Sequence, residues 1–459
     1  MALAIAALIV TLFWSILSAA ATQPAGTSHV DLGYLIYITT LQAVLSTILS
    51  IIVGIALAWA LNRLRFAGRG LIIGLFASAI VTPGLVVAFG LLSVWGRSGW
   101  LGALNVPIFG LGGVVAAHLI LDGAFAARIL LARLDAIPEG RLKTGQSLAL
   151  GAWTRLAIID WPALRGTLPG LAAIIFLLAF TSFPIVLLLG GGPAVQTLEA
   201  AIYAAVRLDF DLDAAVKLAL VQIAICSFII LVSSGLAPLS TSLDRPTEPR
   251  WRDASGARVL QWVVLAIALL GFATPLLAVL ADGVGGLGDV LVQPAFWASL
   301  ATSLWIGIAS AFLALLLALV IASARAASPS RVTRMVLGAP AYAYLAVPAV
   351  ALSLGAFLLV RDLGILPDTA APLVVVIANA LLSLPFAMAT LAPPFEAIAR
   401  SRGRLIRSLD LGGMRQFRQI EWPLIARDVG LVLALSFCFS LGGLGVIALF
   451  GTQSFATLP

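Results

Sequence analysis

The sequence predicts an all-α, polytopic membrane protein made of two fused homologous halves. Three observations predict it: near-continuous apolar runs, arginines confined to alternate loops, and a long internal repeat. Hydrophobic residues make up 61% of the 459 and charged residues 10%, whereas a soluble domain is nearer half apolar and about a quarter charged. About ten runs of Leu, Ala, Ile, Val and Phe approach the roughly 20 residues that cross a bilayer's hydrocarbon core. No two-layer soluble fold has interior for so many. The net charge of +7 raises the question of nucleic acid. The basic residues, however, lie in loops between apolar runs and not on one polar face, so the expected partner is the lipid bilayer and no nucleic acid.

Breaking the runs at charge, Pro and Gly clusters gives eleven spans, near residues 2–21, 35–60, 71–95, 108–131, 168–190, 214–235, 259–281, 297–323, 333–360, 370–392 and 430–450. The first has no Lys or Arg at its start and only Ala19 to Ala21 as a small-residue patch, so it reads as an anchor and not as a cleaved signal. With the N-terminus inside, the inner loops hold Arg63 to Arg69, Arg128 to Arg165, Arg245 to Arg258, Arg325 to Arg334 and Arg400 to Arg427. Of the chain's 27 basic residues, only Arg97, Arg207, Lys217 and Arg361 fall on the other side. Basic loops stay in the cytoplasm, so the bias predicts a multi-pass protein of the bacterial inner (cytoplasmic) membrane with a cytoplasmic N-terminus. Cys226 and Cys438 lie inside apolar runs and read as small buried hydrophobes. His29 and His118 are too isolated to predict a metal site.

The two longest inner loops match each other. Asp135-Ala136-Ile137-Pro138, through Gly151 to Ile159-Asp160-Trp161-Pro162, recurs as Glu396-Ala397-Ile398-Ala399, through Gly412 to Ile420-Glu421-Trp422-Pro423, at a constant offset of 261 residues. Flanking pieces agree: Val81-Thr82-Pro83 opens a helix ending in Ala88-Phe89-Gly90, and Val347-Pro348 opens one containing Leu354-Gly355. Duplication of this length predicts two domains, 1–240 with six helices and 241–459 with five.

Within each loop, the segments beginning at Glu139 and Arg400 have helical spacing, and Gly151 or Gly412 supplies a C-cap or sharp turn. A second short amphipathic piece follows, with Trp153, Leu156 and Ile159 on one face, before Pro162 starts the approach to the next span. Such a helix either docks into a groove on a cytoplasmic partner or lies in the interface, with Trp161 and Trp422 as headgroup-level aromatics. The duplication favours docking. Inside the spans, Asp122 follows His118 by four residues and shares its helix face. Buried polar groups of this kind mark a pathway or a structural contact. Their repeat equivalents are Asn379 and Ser383, and the absence of charge there favours structure, with His118, Asp122 and Asn379 as the pathway candidates.

The paired Gly151/Trp161-Pro162 and Gly412/Trp422-Pro423 patterns resemble the cytoplasmic loop of the membrane subunits of binding-protein-dependent ABC importers, in which a Glu-Ala-Ala triplet precedes the glycine. Here the triplet positions hold Gly145-Gln146-Ser147 and Ile406-Arg407-Ser408, so the charged member is absent from both copies. A fused pair is typical of the ferric-iron and thiamine permease branch. The stretches Val94 to Leu101, Leu188 to Pro193, Trp251-Arg252-Asp253 and Gly445 to Gly451 are most similar to the thiamine (thiamine pyrophosphate) permeases. The resemblance implies a transport subunit that is no enzyme and binds no cofactor itself. It implies docking of two copies of a cytoplasmic ATP-binding subunit through Glu139, Gly151, Asp160, Trp161 and Pro162 in one loop and Arg400, Gly412, Glu421, Trp422 and Pro423 in the other. A periplasmic substrate-binding protein would deliver thiamine or its phosphorylated form. The sequence contains no Gly-x-x-x-x-Gly-Lys-Ser/Thr phosphate loop, so the ATP would be hydrolysed on the partner. A ferric-iron importer permease is the nearest alternative, and a secondary transporter is the alternative from another class.

The halves differ at their ends. After Gly190-Gly191-Gly192-Pro193 the first half continues through Gln196 to Glu199 into a sixth span. The second has only Ala456 to Pro459 beyond its matching Phe450-Gly451. The repeat thus predicts a twelfth helix in the complete permease.

Overall fold

The structure is a computed structural model that describes residues 2–22, 31–192, 195–233, 251, 253–328, 330–344, 347–450 and 457. Every regular element among them is helical. Among the described residues seven helices are long and apolar enough to cross a bilayer, and two pairs bent at a break raise the number to nine. They include α2 (Leu32–Arg63), α5 (Leu111–Asp135), α12 (Leu212–Ser233), α13 (Ser255–Leu291), α14 (Pro294–Ala327) and α17 (Pro367–Ser408). The runs near 2–21 and 333–360 are helical as well, as α1 (Ala2–Thr22) and the pair α15 (Arg331–Ala343) and α16 (Ala349–Asp362).

Four of the eleven predicted runs are broken helices instead of single ones. Run 71–95 is α3 (Arg69–Ala77) with a short 3-10 turn, then α4 (Gly84–Trp95), bent by 112°. Run 168–190 is α9 (Leu168–Phe180) and α10 (Phe183–Leu189). Run 430–450 is the end of α19 (Trp422–Leu441) followed by α20 (Leu444–Phe450), and run 333–360 is α15 and α16. The cause at three of the four is proline. Pro83, Pro184 and Pro348 each lack a backbone N–H and bias the preceding residue away from helix, so each sits at a helix start. At the fourth, Gly442 and Gly443 separate α19 from α20. The ending that the repeat singles out, after Phe450, lies outside the described residues apart from Thr457.

The chain forms two compact units: Asp31–Ala200 with Phe228–Asp289, and Met1–Val30 with Ala201–Ser227 and Val290–Pro459. These units and the sequence halves 1–240 and 241–459 divide the chain differently, because the first helix of each half, and the Ala201–Ser227 stretch of the first half, pack with helices of the other half. In the first unit α2 runs along α5 and α9, and α13 closes the bundle. Phe66 meets Trp262 with ring centroids 5.1 Å apart, Phe76 meets Phe272 edge-on at 5.5 Å, and Leu265 and Phe272 join the buried core around Leu57, Leu61 and Leu130. In the second unit α14 packs on α17 and α19, and α1 lies on α15 and α16.

Two glycines seat the exchanged helices, and they lie in the two flanking helices that open at Pro83 and Pro348. A Cβ on Gly90 of α4 would lie 2.4 Å from the Pro275 carbonyl oxygen of α13. A Cβ on Gly355 of α16 would lie 3.2 Å from the Leu12 carbonyl oxygen and from Ile16 Cδ1 of α1, and the Ser15 hydroxyl donates to the Gly355 carbonyl at 3.0 Å. Close helix approach at small residues is what holds helices together where lipid leaves no hydrophobic drive between them. We expect Gly90→Ala, which collides with backbone, to cost about 1–3 kcal/mol. Gly355→Ala, whose Cβ has more room, should cost clearly less. Thermal unfolding of the purified variants in detergent checks the order, and equal shifts would count against these seats.

Candidate functional site

Both repeated loops fold into the same motif. In the first, α6 (Glu139–Ser147) ends in a turn where the Ala149 N–H donates to Gln146 O at 3.0 Å and the Leu150 N–H to Gly145 O at 3.2 Å. Its counterpart closes with the Leu411 N–H donating to Ile406 O at 3.1 Å. The six-to-one bond marks a Schellman close, and the left-handed residues are Ala149 (φ 49°) and Asp410 (φ 48°), again 261 apart. This corrects the expectation that Gly151 and Gly412 cap the first helix. Both are extended (ψ 163° and 159°) and serve as N-caps of the next short helices, α7 (Ala152–Arg155) and α18 (Gly413–Gln416). The close is complete two residues earlier, so the glycines belong to the following element.

Each short helix then opens into a π turn, Leu156–Asp160 or Phe417–Glu421, immediately before Trp-Pro. Pro162 and Pro423 have no N–H to offer the carbonyl four residues back, and the ladder slips by one. The Trp161 N–H donates to Leu156 O and the Trp422 N–H to Phe417 O. In the first loop, α8 (Trp161–Leu164) leads to α9 through a 65° bend.

The halves differ where a proline is present in one only. Pro138 is the N-cap of α6 and separates it from α5, whereas Ala399 lets α17 run on through the equivalent of α6. Pro169 sits in the first turn of α9, whereas Gly430 lies within the continuous α19.

The predicted docking residues divide by exposure. Glu139, Gly151, Pro162, Arg400, Gly412 and Pro423 are exposed, and Trp161 (46%) and Trp422 (43%) keep much of their surface. Leu148 and Leu409, and Trp153 and Met414, are exposed apolar pairs at equivalent positions. Asp160 (0%) and Glu421 (8%) are instead buried. Glu421 accepts from Gln416 Nε2 at 2.6 Å. Glu139 pairs with Lys143 at 3.0 Å on the solvent side.

Asp160 belongs to a charge cluster that the sequence did not reveal. Its Oδ2 pairs with a terminal nitrogen of Arg63, at the end of α2, and Arg63 Nε donates to Asp253 Oδ2 at 3.2 Å. Asp253 also accepts from Gln261 Nε2 of α13 at 2.8 Å and lies 3.6 Å from Arg155. The Arg155 guanidinium donates to Trp251 O at 3.2 Å and covers the Trp251 ring at 4.1 Å. Two arginines and two aspartates, all nearly without solvent, balance in charge. Burial holds the Asp160 carboxyl above its ordinary pKa, with the Arg63 and Arg155 charges pulling the other way. Arg63 and Arg155 counted in the sequence only as two basic residues among many, and Trp251-Arg252-Asp253 only as a matching stretch; nothing linked the three.

Two of the three pathway candidates join helices. His118 Nδ1 is 3.0 Å from Ser46 Oγ, joining α5 to α2. Asp122, buried on the same face of α5, has its Oδ2 without a hydrogen-bond partner among the described residues. Asn379 of α17, in the other unit, donates to Ser440 Oγ of α19 at 2.9 Å.

A helical fold with several apolar spans and two copies of one loop motif, each with exposed apolar side chains, defines a polytopic membrane protein. No family model matches the chain. It is 35% identical over 434 residues to the thiamine transport system permease protein ThiP of Brucella melitensis, which covers 92% of this chain and 80% of that protein. To the protein of the same name from Escherichia coli it is 37% identical over 437 residues, 91% of this chain and 80% of the relative. A shorter match, 30% over 174 residues, takes in 36% of this chain and 76% of the molybdenum transport system permease protein ModB of Azotobacter vinelandii. The chain belongs to the thiamine transport system permease family, multi-pass ABC-importer permeases of the bacterial inner membrane.

Two stability outcomes follow from the site. Arg63→Met leaves Asp160 and Asp253 buried without their shared cation and should cost about 3–5 kcal/mol, whereas Lys143→Met, which removes an exposed pair, should cost less than about 1 kcal/mol. Thermal unfolding in detergent compares them. Ala149→Gly, which releases a left-handed alanine, should raise the melting temperature by the equivalent of about 1 kcal/mol.

Proposed function

We propose that this chain carries thiamine or thiamine pyrophosphate across the inner membrane, received from a periplasmic binding protein. The work comes from ATP hydrolysed on two copies of a cytoplasmic subunit docked on the loops at 139–162 and 400–423. The observation that carries this reading is the duplicated loop, with the same close, the same π turn and exposed apolar side chains at three equivalent pairs of positions. An interfacial anchor needs no such repetition of geometry, whereas a motor of two identical subunits does. The confinement of arginine to alternate loops supports a cytoplasmic N-terminus, which puts both docking loops on the side where ATP is found. The substrate reading rests on the thiamine permease relatives. When the ATP-binding subunits close, they would pull on the loops and bias the spans between two arrangements.

In reconstituted vesicles with the binding protein and the ATP-binding subunit, thiamine uptake should require ATP. The double variant Leu148→Asp/Leu409→Asp should lose stimulated hydrolysis and uptake by more than about tenfold, the effect of about 1.4 kcal/mol at the interface. Uptake driven by an ion gradient without the ATP-binding subunit would overturn the importer reading. Transport of ferric ion alone, in competition with thiamine, would overturn the substrate.

A further inference from the structure

The buried quartet of Arg63, Arg155, Asp160 and Asp253 ties the first docking loop to two different helices. The loop supplies Arg155 and Asp160. The end of α2 supplies Arg63, and the segment leading into α13 supplies Asp253, steadied by Gln261 from α13 itself. We propose that these are positioning residues that transmit movement of the loop to α2 and α13, so that hydrolysis on the docked subunit is coupled to transport. This rests on the docking reading above.

Three features argue for transmission and not simply for a stable corner. First, the loop is held at two points with opposite charges. Asp160 grips Arg63 and Arg155 grips Asp253, so the loop cannot shift without taking along both helices or breaking a pair in a dry site, where an unpaired charge is strongly disfavoured. Second, Asp253 is shared: Arg63 Nε lies 3.2 Å from Oδ2 and Arg155 3.6 Å from Oδ1. Third, the cluster has spare hydrogen-bonding capacity. Asp160 Oδ1 and Arg155 Nε, complementary groups on the same loop, both lack a hydrogen-bond partner among the described residues. Arg155 can therefore exchange part of its hold on Asp253 for Asp160 without any charge being left unpaired. A second acceptor for Arg155 within the same cluster is what a two-position element needs. The Trp251 ring beneath Arg155 keeps the exchange within a few ångströms by favouring the cation over its face.

The test uses the full complex of this chain, binding protein and ATP-binding subunit in vesicles, and reads ATP hydrolysed per thiamine imported. Asp253→Asn keeps the shape of the side chain but removes the shared charge. It should raise the ratio by at least about tenfold, within the range of measured coupling effects, while the complex still assembles and hydrolyses ATP. Asp253→Glu should bring the ratio most of the way back. Gln261→Met leaves all four charges in place, and it should give a smaller rise in the same direction even if Asp253→Asn fails to fold. A ratio unchanged in Gln261→Met, or uptake and hydrolysis falling in parallel in Asp253→Asn, would overturn the inference and assign the quartet to stability alone. Absence of ATP-driven uptake by the parent complex would overturn the underlying docking reading, and the two failures are distinguished by the parent control.

Discussion

The Arg63 guanidinium sets much of what the first loop can present. It is 2% exposed, and a charge that far from water has to be matched by opposite charge and hydrogen bonds. Asp160 and Asp253 supply them, Asp160 from inside the π turn. With Asp160 turned inward to reach Arg63, the next residue on the helical path, Trp161, is rotated away and left partly exposed. Trp153, eight residues earlier, lies over Trp59 of α2 with ring centroids 6.0 Å apart and still shows an open face. A buried ion pair adds little net stability over well-packed apolar residues. Its effect is to tie the loop's orientation to α2 and to the segment entering α13, where an apolar contact would leave it free to rotate independently.

The two halves show how small a change converts one arrangement of the repeat into another. Pro138 and Pro169 cut the first loop from the helices on either side, so that it is a chain of short segments. Ala399 and Gly430 leave the second loop continuous with α17 and α19. What survives this difference is the Schellman close and the π turn. Both depend on features the copies share: the spacing of the closing residues and the Trp-Pro step. The first loop, with a break at each end, then relies on side chains for its position, and the quartet is found there. The second is positioned by unbroken helix on both sides, and Glu421 is satisfied locally by Gln416.

Much of this was legible in the sequence. All eleven apolar runs correspond to helices, and the breaks at Pro83, Pro138 and Pro348 follow from the missing N–H of proline. The loop repeat was legible to the residue, and the flanking helices that carry Gly90 and Gly355, 265 residues apart, were legible as counterparts. What the sequence could not show is that those glycines receive helices from opposite halves, because an apolar run says that a helix is buried in something apolar without saying in what. Pairing of Arg63 with Asp253 lies beyond local pattern for the same reason: 190 residues separate them, and only the fold of the segment leading into α13 onto the end of α2 brings them together. The capping role expected of Gly151 and Gly412 failed at closer range. Ala149 and Asp410 take the left-handed position although glycine is nearby, since the six-to-one bond fixes which residue must turn.

The absence of an acidic residue from the triplet positions also has a structural reason. A Cβ on Gly145 would lie 2.8 Å from both Ile159 and the Trp251 ring, so the first copy has no room for a carboxylate there. Ile406, its equivalent, is itself buried. In both copies this position faces the protein's own interior, where an unpaired carboxylate would be costly. The apolar side chains left facing outward at equivalent positions are Leu148 and Leu409, Trp153 and Met414, Trp161 and Trp422, and beside them Arg141 with Arg402 and Lys143 with Arg404 are exposed basic pairs. The common surface of the two loops therefore sets apolar side chains among positive charges, of which Lys143 is paired with Glu139 in solvent. Docking of the kind proposed above would draw on desolvation of the apolar side chains and on the surrounding positive charge, which salt screens, while the buried ions of the first loop hold it to α2 and the start of α13.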